Sequence, residues 1–366
     1  MSYNWMRHFE LQLIDENGKG ISLSDFKVTF DIERNDNKWP AVATVKIYNL
    51  SPTTQNRIMQ REFAKIVLIA GYDGLAKDVQ ESEVGVAREI SPDQVGQTNG
   101  QNYGMIFSGD IRFTVTGKDN LVDSWILVQA CDSEEAFVSA FVSATIQKGY
   151  TTEDVYNLLM TSLEPYGIGR GITPVFPSTV FPRGRAFFGY VHNYLDEVAA
   201  QCKATWQFSY GKVDMIARDT AAHQAVVLNS NTGLVGMPQQ TIGAGVNVRC
   251  LINSGIQLNG LIQLDQASVY RNPLSNQDIF SGLFRFVEKD IDGNLVVITK
   301  IKDANGNLID APPTSQPASI ATDGIYKVRY ISYTGDTRGQ AWYMDLACEA
   351  RGATDVPSSS FMNKQS

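Results

Sequence analysis

The amino-acid sequence predicts a mainly β protein in which an α+β insert separates two β-barrel domains of a single chain. Apolar residues recur at every second position in the first and last thirds, which is the spacing of strands with one buried face. Helical spacing is confined to the middle of the chain. Five or six strands in the first third are enough to close a small barrel. The last third has the same order of a strand pair, a long excursion and a second strand pair.

The chain is organised around a strand, a second strand and a short capped helix. Residues 28–33 alternate between apolar and polar side chains, and residues 41–48 repeat the pattern after a turn. Ser51 and Pro52 then predict a helix start, because a serine hydroxyl caps helices and proline suits the first helical turn. The apolar run at residues 65–72 predicts the next strand.

The rest of the first third adds three strands and one long polar excursion. Residues 9–14 predict a strand that turns back at an Asp-Glu-Asn-Gly sequence. Residues 73–104 contain six acidic and two basic residues, so they carry −4 of the net charge of −8. We interpret them as a mobile or interface loop, with an acidic surface facing a partner or a channel as the alternative. Strands are predicted again over residues 106–116, with one apolar face, and over 121–131.

The middle of the chain predicts three helices and a hairpin. Apolar residues at helical spacing over 137–142 extend a first helix that opens with acidic residues. Thr151 predicts the cap of a second helix, with Asp154 three positions later. A third helix is expected over residues 191–201, and a hairpin over 205–217 turns at Gly211-Lys212. A Pro/Gly-rich connector occupies residues 165–185.

The last third returns to strands. Two short strands are predicted over residues 245–252 and 256–265. Residues 266–323 predict a protruding β-arm, with Asp/Gly/Asn turns at 290–294 and 303–307. A final strand pair is predicted over residues 325–334 and 340–350.

Four segments of this chain resemble the baseplate hub proteins of tailed bacteriophages and, more distantly, the hubs of type VI secretion spikes. The segments are VKIYNLSPTTQNRI at residues 45–58, VLIAGY at 67–72, IFSGDI at 106–111 and YTGDTRGQAW at 333–342. Their order along the chain carries the resemblance. It implies that both barrels are tail-tube-like. The domains expected are a first tube-like barrel over residues 1–131 with the excursion 73–104, the α+β insert over 132–222, a second tube-like barrel over 223–351 with the excursion 266–323, and a flexible tail over 352–366.

The resemblance also implies a function that depends on symmetry. Three copies, each with two tube-like barrels, would present six barrels to the hexameric tail tube and three-fold symmetry to the trimeric cell-puncturing spike. A homotrimeric ring is therefore expected in the baseplate of a virion tail, assembled in the cytoplasm of the bacterial host, with a channel for DNA ejection. The tail tube protein and a spike or tail-tip protein are the implied partners, with the tape measure protein as a further candidate.

Composition narrows the function classes. The net charge of −8 and the isoelectric point near 5.0 do not favour a nucleic-acid-binding surface. Four distant cysteines in apolar runs, Cys131, Cys202, Cys250 and Cys348, are expected to be reduced and buried rather than paired. The first residues lack the apolar core of a signal peptide, and no apolar run has membrane-spanning length, so we expect a soluble protein with no membrane insertion.

No residue is predicted to be catalytic, to bind a cofactor or to bind a metal. Several candidate residues have a simpler structural interpretation. They are His8, His192 and His223, which lack ligand spacing; the glycine-rich residues 167–171, which lack the phosphate-binding lysine; the acidic residues Asp132, Glu134 and Glu135; the two calcium-like turns; and Arg183 with Arg185.

Two other functions stay open from the sequence. A tail-associated glycan or peptidoglycan hydrolase would need two carboxyl groups at a fixed separation in a cleft, and the sequence marks no such pair. A β-rich receptor-binding protein would favour trimeric tip domains with exposed aromatic residues, and the order of two barrels argues against it.

Overall fold

The computed structural model describes residues 6–73, 88–90, 102–218, 220–222, 225–230, 232–240, 245–265, 284–289, 295–302, 308–310 and 324–350. The described part is mainly β with a few helices, as predicted. The flexible-tail prediction for 352–366 lies outside the described residues, as do His223, both calcium-like turns and most of the excursion 73–104.

The strands and helices of the described residues are as follows. The first third contains β1 (Arg7–Ile14), β2 (Gly20–Ser22), β3 (Val28–Asn35), β4 (Val42–Tyr48), α1 (Pro52–Met59), β5 (Lys65–Tyr72), β6 (Arg88–Ile90), β7 (Asn102–Lys118) and β8 (Ser124–Cys131). The middle contains α2 (Glu134–Ser139), β9 (Phe141–Ile146), α3 (Thr152–Leu163), a 3-10 helix (Glu164–Tyr166), β10 (Gly169–Arg170), β11 (Arg185–Tyr190), α4 (Val191–Gln201), β12 (Ala204–Ser209) and β13 (Lys212–Ala217). The last third contains β14 (Ala225–Leu228), β15 (Leu234–Gln240), β16 (Gly245–Leu251), β17 (Leu261–Leu264), β18 (Phe284–Lys289), β19 (Leu295–Lys302), β20 (Leu308–Asp310), β21 (Ile325–Asp336) and β22 (Trp342–Ala350).

The two β-rich parts share one sheet. Its hydrogen-bonded order is β15-β16-β22-β21-β3-β4-β8-β7-β5-β1-β2-β6, with β17 added beside β21 and β14 beside β17. The two parts meet where β3 pairs antiparallel with β21, from Thr29 opposite Asp336 to Asn35 opposite Tyr330. Among the strands that the structure describes, the pairing traces a continuous sheet and no closed barrel.

The buried apolar side chains form two separate clusters, one in the β-rich parts and one in the insert. One cluster of buried side chains contains residues from both β-rich parts, and Phe30 packs against both Phe9 (5.4 Å between ring centroids) and Trp342 (5.5 Å). A second cluster is built from the insert alone, with α3 and α4 packed beside β12 and β13. The insert therefore has its own core, whereas the β-rich parts stabilise each other.

Several local predictions are confirmed. The alternation in β3 places Val28, Phe30 and Ile32 in the core. The side chain of Ser51 accepts a hydrogen bond from the backbone N–H of Thr54 (3.2 Å) and caps α1. Thr151 and Asp154 form a reciprocal capping box that begins α3, as predicted. The strands β18, β19 and β20 form antiparallel pairs, as predicted for the β-arm.

The first insert helix is shorter than predicted. Helical spacing over residues 137–142 suggested one continuous helix, but α2 ends at Ser139 and β9 begins at Phe141. The cause is long-range, because β9 pairs along its whole length with β11, which lies about forty residues further along the chain. Alternating burial in β9 puts Val142 inside and Phe141 outside. Strand pairing thus overrides a short local helical pattern.

The hairpin of β7 and β8 also differs from the prediction. Leu121 and Val122, expected in a strand, lie in the turn, and β8 begins only at Ser124. A bulge between Ile111 and Phe113 shifts the register of β7, and the apolar face beyond it is exposed. Strand β7 starts at Asn102, so the excursion 73–104 ends earlier than predicted.

Two further boundaries differ from the predictions. The turn between β12 and β13 consists of Tyr210 and Gly211, both with positive φ (52° and 74°), rather than Gly211-Lys212. The strand predicted over 256–265 is confined to β17. The hairpin turn therefore lies one residue earlier than predicted, whereas the strand at β17 is shorter than predicted.

Candidate functional site

A buried polar cluster lies where the two β-rich parts and the insert meet. Arg329, on β21, donates hydrogen bonds to Glu349 on β22 (2.8 and 2.7 Å) and to Asp36, which follows β3. The side chains of Asp36 and Glu349 are only 6% and 1% exposed, and that of Arg329 16%. We call these residues, together with Asn259 and Thr205, the polar junction.

The other two members of the polar junction, Asn259 and Thr205, donate hydrogen bonds to Asp36. Its carboxylate accepts hydrogen bonds from the side-chain amide of Asn259 (2.7 Å) and from the hydroxyl of Thr205 (3.2 Å), which belongs to β12 of the insert. Its backbone N–H donates to the carbonyl of Arg329 (2.9 Å). Asp36 therefore links three parts of the chain that are distant in sequence.

A second set of contacts attaches the insert beside the junction. Arg34, which continues the inward-facing side of β3, is buried and donates to the hydroxyl of Tyr210 and to Ser209 (3.1 Å). The Tyr210 hydroxyl donates in turn to the carbonyl of Ile106 on β7 (3.4 Å). Asp132, just after β8, accepts from the backbone N–H groups of Tyr210 (2.7 Å) and Gly211 (3.3 Å). The turn at Tyr210 is thus held from three strands of the sheet.

The electrostatics of these groups follow from burial and pairing. Burial by itself lowers the pKa of Arg329, but attraction to Asp36 and Glu349 outweighs it, so the pKa is raised. Burial raises the pKa of Asp132, against the opposing attraction of Arg34. Taking charges out of water is costly unless each has hydrogen-bonded partners. The hydrogen bonds of these charged groups therefore fix the positions of the two β-rich parts and the insert relative to one another.

The arrangement around Asp132 does not suit acid–base catalysis. The carboxylate is buried, and it accepts a further hydrogen bond from the hydroxyl of Ser133 (2.8 Å), so both oxygens are occupied by the protein. Glu134 forms an ion pair with Arg112 (3.4 Å). Both Glu134 and Glu135 lie in the first turn of α2, as the helix-start interpretation predicts.

The predicted histidine candidates are not brought together. His192 is in contact with the carbonyl of Phe137 (3.0 Å) and stacks between the rings of Phe137 and Tyr190. His8 lies in β1, beside the start of the excursion. In the ranges that the structure describes, no three His, Cys, Asp or Glu side chains are grouped so that they could hold a metal ion.

The glycine-rich residues 167–171 lie against the β12–β13 hairpin. Gly169 and Arg170 form β10, which runs parallel to β13, a pairing that was not predicted. The N–H groups of Gly169 and Gly171 donate to backbone carbonyls (2.8 and 3.0 Å), so they do not face outward as a phosphate cradle would.

The remaining candidates are the arginines Arg183 and Arg185 and the four cysteines. Arg185 forms an ion pair with Glu197 (2.8 Å) and lies over the ring of Phe187, while Arg183 is exposed. All four cysteines are free thiols; three are buried and Cys202 is half-buried. Among the described residues, no helix is long and apolar enough to cross a membrane.

Sequence reasoning missed both the polar junction and the neighbouring contacts of Arg34, although the sequence held a signal for Arg34. In β3 every second residue faces the core, and Arg34 follows Val28, Phe30 and Ile32 on that same side. A charged residue on the buried face of a strand needs a partner. The partner could not be deduced, because Tyr210 is separated from Arg34 by 176 positions.

His8 has an unusual setting of its own. It pairs opposite Gly71, which pairs opposite Tyr103, and the rings of His8 and Tyr103 stack at 3.6 Å across the strand between them. A side chain at Gly71 would separate the rings. The Nδ1 atom of His8 is 2.7 Å from a carboxylate oxygen of Asp73. Burial lowers the pKa of His8, but Glu10 and Asp73 more than compensate and raise it above 6.5.

Removing the cation from the polar junction should destabilise the protein strongly. Arg329→Met removes the cation that pairs with two buried carboxylates, and we expect a loss of about 3–5 kcal/mol in the free energy of unfolding. Arg185→Met, at an exposed ion pair, is the matched control and should cost at most about 1 kcal/mol. Chemical denaturation measures both. A similar small loss for the two variants would contradict the role of the junction.

The contacts of His8 should make stability depend on pH. Because the pKa of the folded state is raised, the contribution of His8 is fully present below its unfolded pKa of about 6.5 and is lost as pH rises through the folded value. The stability advantage of the wild type over His8→Gln should therefore shrink from pH 6 toward about pH 9. Asp73→Asn should reduce the same pH dependence. Parallel stability curves for wild type and His8→Gln would refute it.

Comparison with known proteins relates the fold to phage tails. No protein-family model matches the chain, and no curated protein matches it by sequence. The prophage MuSo2 43 kDa tail protein from Shewanella oneidensis aligns with a TM-score of 0.50 and 8% identity over 96% of this chain and 99% of that protein. A tail protein from Neisseria meningitidis MC58 aligns with a TM-score of 0.48 and 9% identity over 94% and 96% of the two chains. The E. coli c3393 protein, a component of the type VI secretion system, aligns at 0.42 and 8% over 90% and 76%.

The alignment with the Shewanella protein covers nearly the whole of both chains. At 8% identity, such a likeness concerns the fold. It confirms at that level the resemblance to phage tail proteins that the sequence motifs predicted: this chain has the fold of a phage tail protein.

Proposed function

We propose that the protein is a structural hub of a phage-tail baseplate, and that three copies form a ring between the hexameric tail tube and the trimeric spike. The observation that carries the proposal is the near-full-length fold match to a prophage tail protein in a chain whose two β-rich parts are joined edge to edge. The match supports a tail component, and the joined parts support a hub.

The ring resolves a mismatch of symmetry. In this proposal residues 1–131 and 223–351 are two tube-like domains joined through one shared sheet, 132–222 is the insert domain and 352–366 is a flexible tail. Three chains with two tube-like units each present six units to the tube, while the assembly keeps the three-fold symmetry of the spike. The antiparallel pairing of β3 with β21 favours this arrangement, because it holds two β-rich parts side by side in one chain. The separate core of the insert fits a domain outside the ring of strands.

The charge of the chain suits a channel through which DNA moves. With a net charge of −8, the protein repels phosphates and offers little gain from counterion release. DNA would pass without being held. The partners proposed are the tail tube protein and a spike or tail-tip protein, with the tape measure protein as a further candidate, in the tail baseplate of a virion assembled in the host cytoplasm.

The proposed role is structural rather than enzymatic. A hub transmits load between tube and spike, so its parts must keep their relative positions. Buried and paired charges at the polar junction support such rigidity, because shifting the parts would separate charges away from water. A hydrolase is not favoured by the surroundings of Asp132, whose oxygens accept hydrogen bonds from the protein itself.

The copy number tests the proposal. Mass photometry of the purified chain should show a species of about 121 kDa, three times the mass of 40.4 kDa. If the ring forms only in the tail, the purified chain is monomeric and quantitative mass spectrometry of tails should give three copies per tail. A stable dimer in solution together with two copies per tail would contradict it.

A further inference from the structure

The insert contains a two-stranded sheet with one core face and one exposed face. Strands β9 and β11 pair antiparallel along their whole length without a register shift. Val142 of β9 and Phe187 of β11 belong to the core of the insert. The residues that alternate with them are exposed. The two outer edges of this sheet differ in whether their backbone groups have partners.

The outer edge of β11 is closed by a side chain of α4. The Tyr194 hydroxyl accepts a hydrogen bond from the N–H of Phe188 (3.1 Å) and donates to the carbonyl of the same residue (3.2 Å). Both backbone groups of Phe188 therefore point away from β9. Phe188 lies opposite Ser143, so this is a non-hydrogen-bonded pair of the ladder. The N–H of Val191 donates to the carbonyl of Ala140 (3.0 Å), which continues the same alternation.

The alternation leaves the outer edge of β9 open. The N–H and C=O groups of Phe141, Ser143 and Thr145 point away from β11, because hydrogen-bonded and non-hydrogen-bonded pairs alternate in an antiparallel ladder. None of these groups has a hydrogen-bond partner among the residues that the structure describes. All three residues are exposed. We call their backbone groups the β9 edge. Such a row of donors and acceptors is a template for pairing with another strand.

The sequence of β9 does not protect this edge. Residues 141–146, FVSATI, contain no proline and no charged residue, and three of them are β-branched. Natural sheet edges usually carry lysine, proline or a bulge, which hinder pairing with another chain. The edge strand β15 shows such protection, with a register shift after Val235 and a proline at position 238. The β9 edge is therefore suited to accept a strand.

Three aromatic side chains lie on the exposed face beside the β9 edge. Phe188 is 76% exposed, and its ring packs edge-on against the ring of Phe141, with 4.9 Å between the centroids. The ring of Tyr190 lies 5.9 Å from that of Phe141. Every second side chain of an added strand would lie on this face, next to Phe141. The partner strand should therefore carry apolar residues at alternate positions.

The end of β9 is positively charged. Lys148 and Arg183 are exposed, and neither forms an ion pair within the described part of the chain. Gly184, the neighbour of Arg183, lies against the carbonyl of Ile146, the last residue of β9. An acidic residue at this end of an added strand would meet two unpaired cations. Complementary charge of this kind fixes the register of a partner and suppresses wrong ones.

We propose that the β9 edge binds an extended segment of a neighbouring tail protein, which joins the insert as a third strand. The segment is uncharged along β9, apolar at alternate positions, and acidic at the end that faces Lys148 and Arg183. Main-chain hydrogen bonds give such complexes their affinity, and alternate side chains give specificity. The inference rests on the proposed function only in naming a tail protein as the source of the strand. It does not depend on the ring of three copies.

Peptide binding to the full chain tests the mode of contact. The probe is a fluorescent peptide of alternating valine and threonine with a glutamate at each end, followed by fluorescence anisotropy. Ser143→Pro removes one outward N–H and places a ring in the path of the added strand, yet takes no hydrogen bond from the β9–β11 pair. It should weaken binding at least about tenfold. Ser143→Thr keeps the N–H and is the matched control, with binding like that of the wild type.

Charge reversal gives a second test that does not alter the backbone. Lys148→Glu/Arg183→Glu should weaken binding of the glutamate-ended peptide and strengthen binding of the same peptide with a lysine at each end. Both side chains are exposed, so the melting temperature should stay close to that of the wild type. An unchanged melting temperature shows in the same way that Ser143→Pro folds.

Cross-linking in assembled tails identifies the source of the strand. A photoreactive benzoylphenylalanine replaces Thr145, and the products are mapped by mass spectrometry. We expect cross-links to a segment of another tail protein with the stated chemistry.

The outcomes separate this inference from the proposed ring. Equal binding by the wild type and Ser143→Pro, or no binding at about millimolar peptide, overturns strand addition. Cross-links to β9 of a second copy make the edge a self-interface and overturn the partner assignment. Neither result changes the expected three copies per tail. Two copies per tail, with cross-links from Thr145 to another tail protein, would overturn the ring and leave the strand addition in place.

Discussion

The pairing of β3 with β21, reinforced by the buried Arg329 guanidinium, is the constraint on which the structure depends. The two strands come from opposite ends of the chain, and their union makes one sheet from two β-rich parts. Arg329 pairs with a carboxylate from each side, Asp36 and Glu349. Asp36 also reaches the insert through Thr205. An arrangement of the two parts that separated these charges would leave them unpaired away from water, which is costly.

Local patterns in the sequence were sufficient for much of the fold. The alternation of β3 and the cap at Ser51 depend on neighbours within a few residues, and they were predicted correctly. Partners distant in the chain explain the errors. Residues 137–142 have helical spacing, yet pairing with β11 makes their second half a strand. The polar junction was missed because its members are spread from Asp36 to Glu349, and their proximity is a property of the sheet order.

Buried charges and exposed apolar side chains occupy different parts of this molecule. Arg34, which is buried, and Arg329, whose side chain is 16% exposed, join segments of one chain, whereas Leu121 and Val122 are exposed. The turn that carries Leu121 and Val122 is ordered by hydrogen bonds of the Asn120 and Asn49 side chains. A structural hub needs this division, because its function consists of holding its own shape and of meeting its neighbours in a defined orientation.

The central claim is that this chain forms a three-fold ring between tube and spike, and an electron cryomicroscopy reconstruction of the assembled tail tip tests it most directly. The account predicts three copies around one axis, with six β-rich units facing the tube and a continuous central channel. A single copy, a ring of six copies, or a position on the outer surface of the tail away from the channel would contradict it.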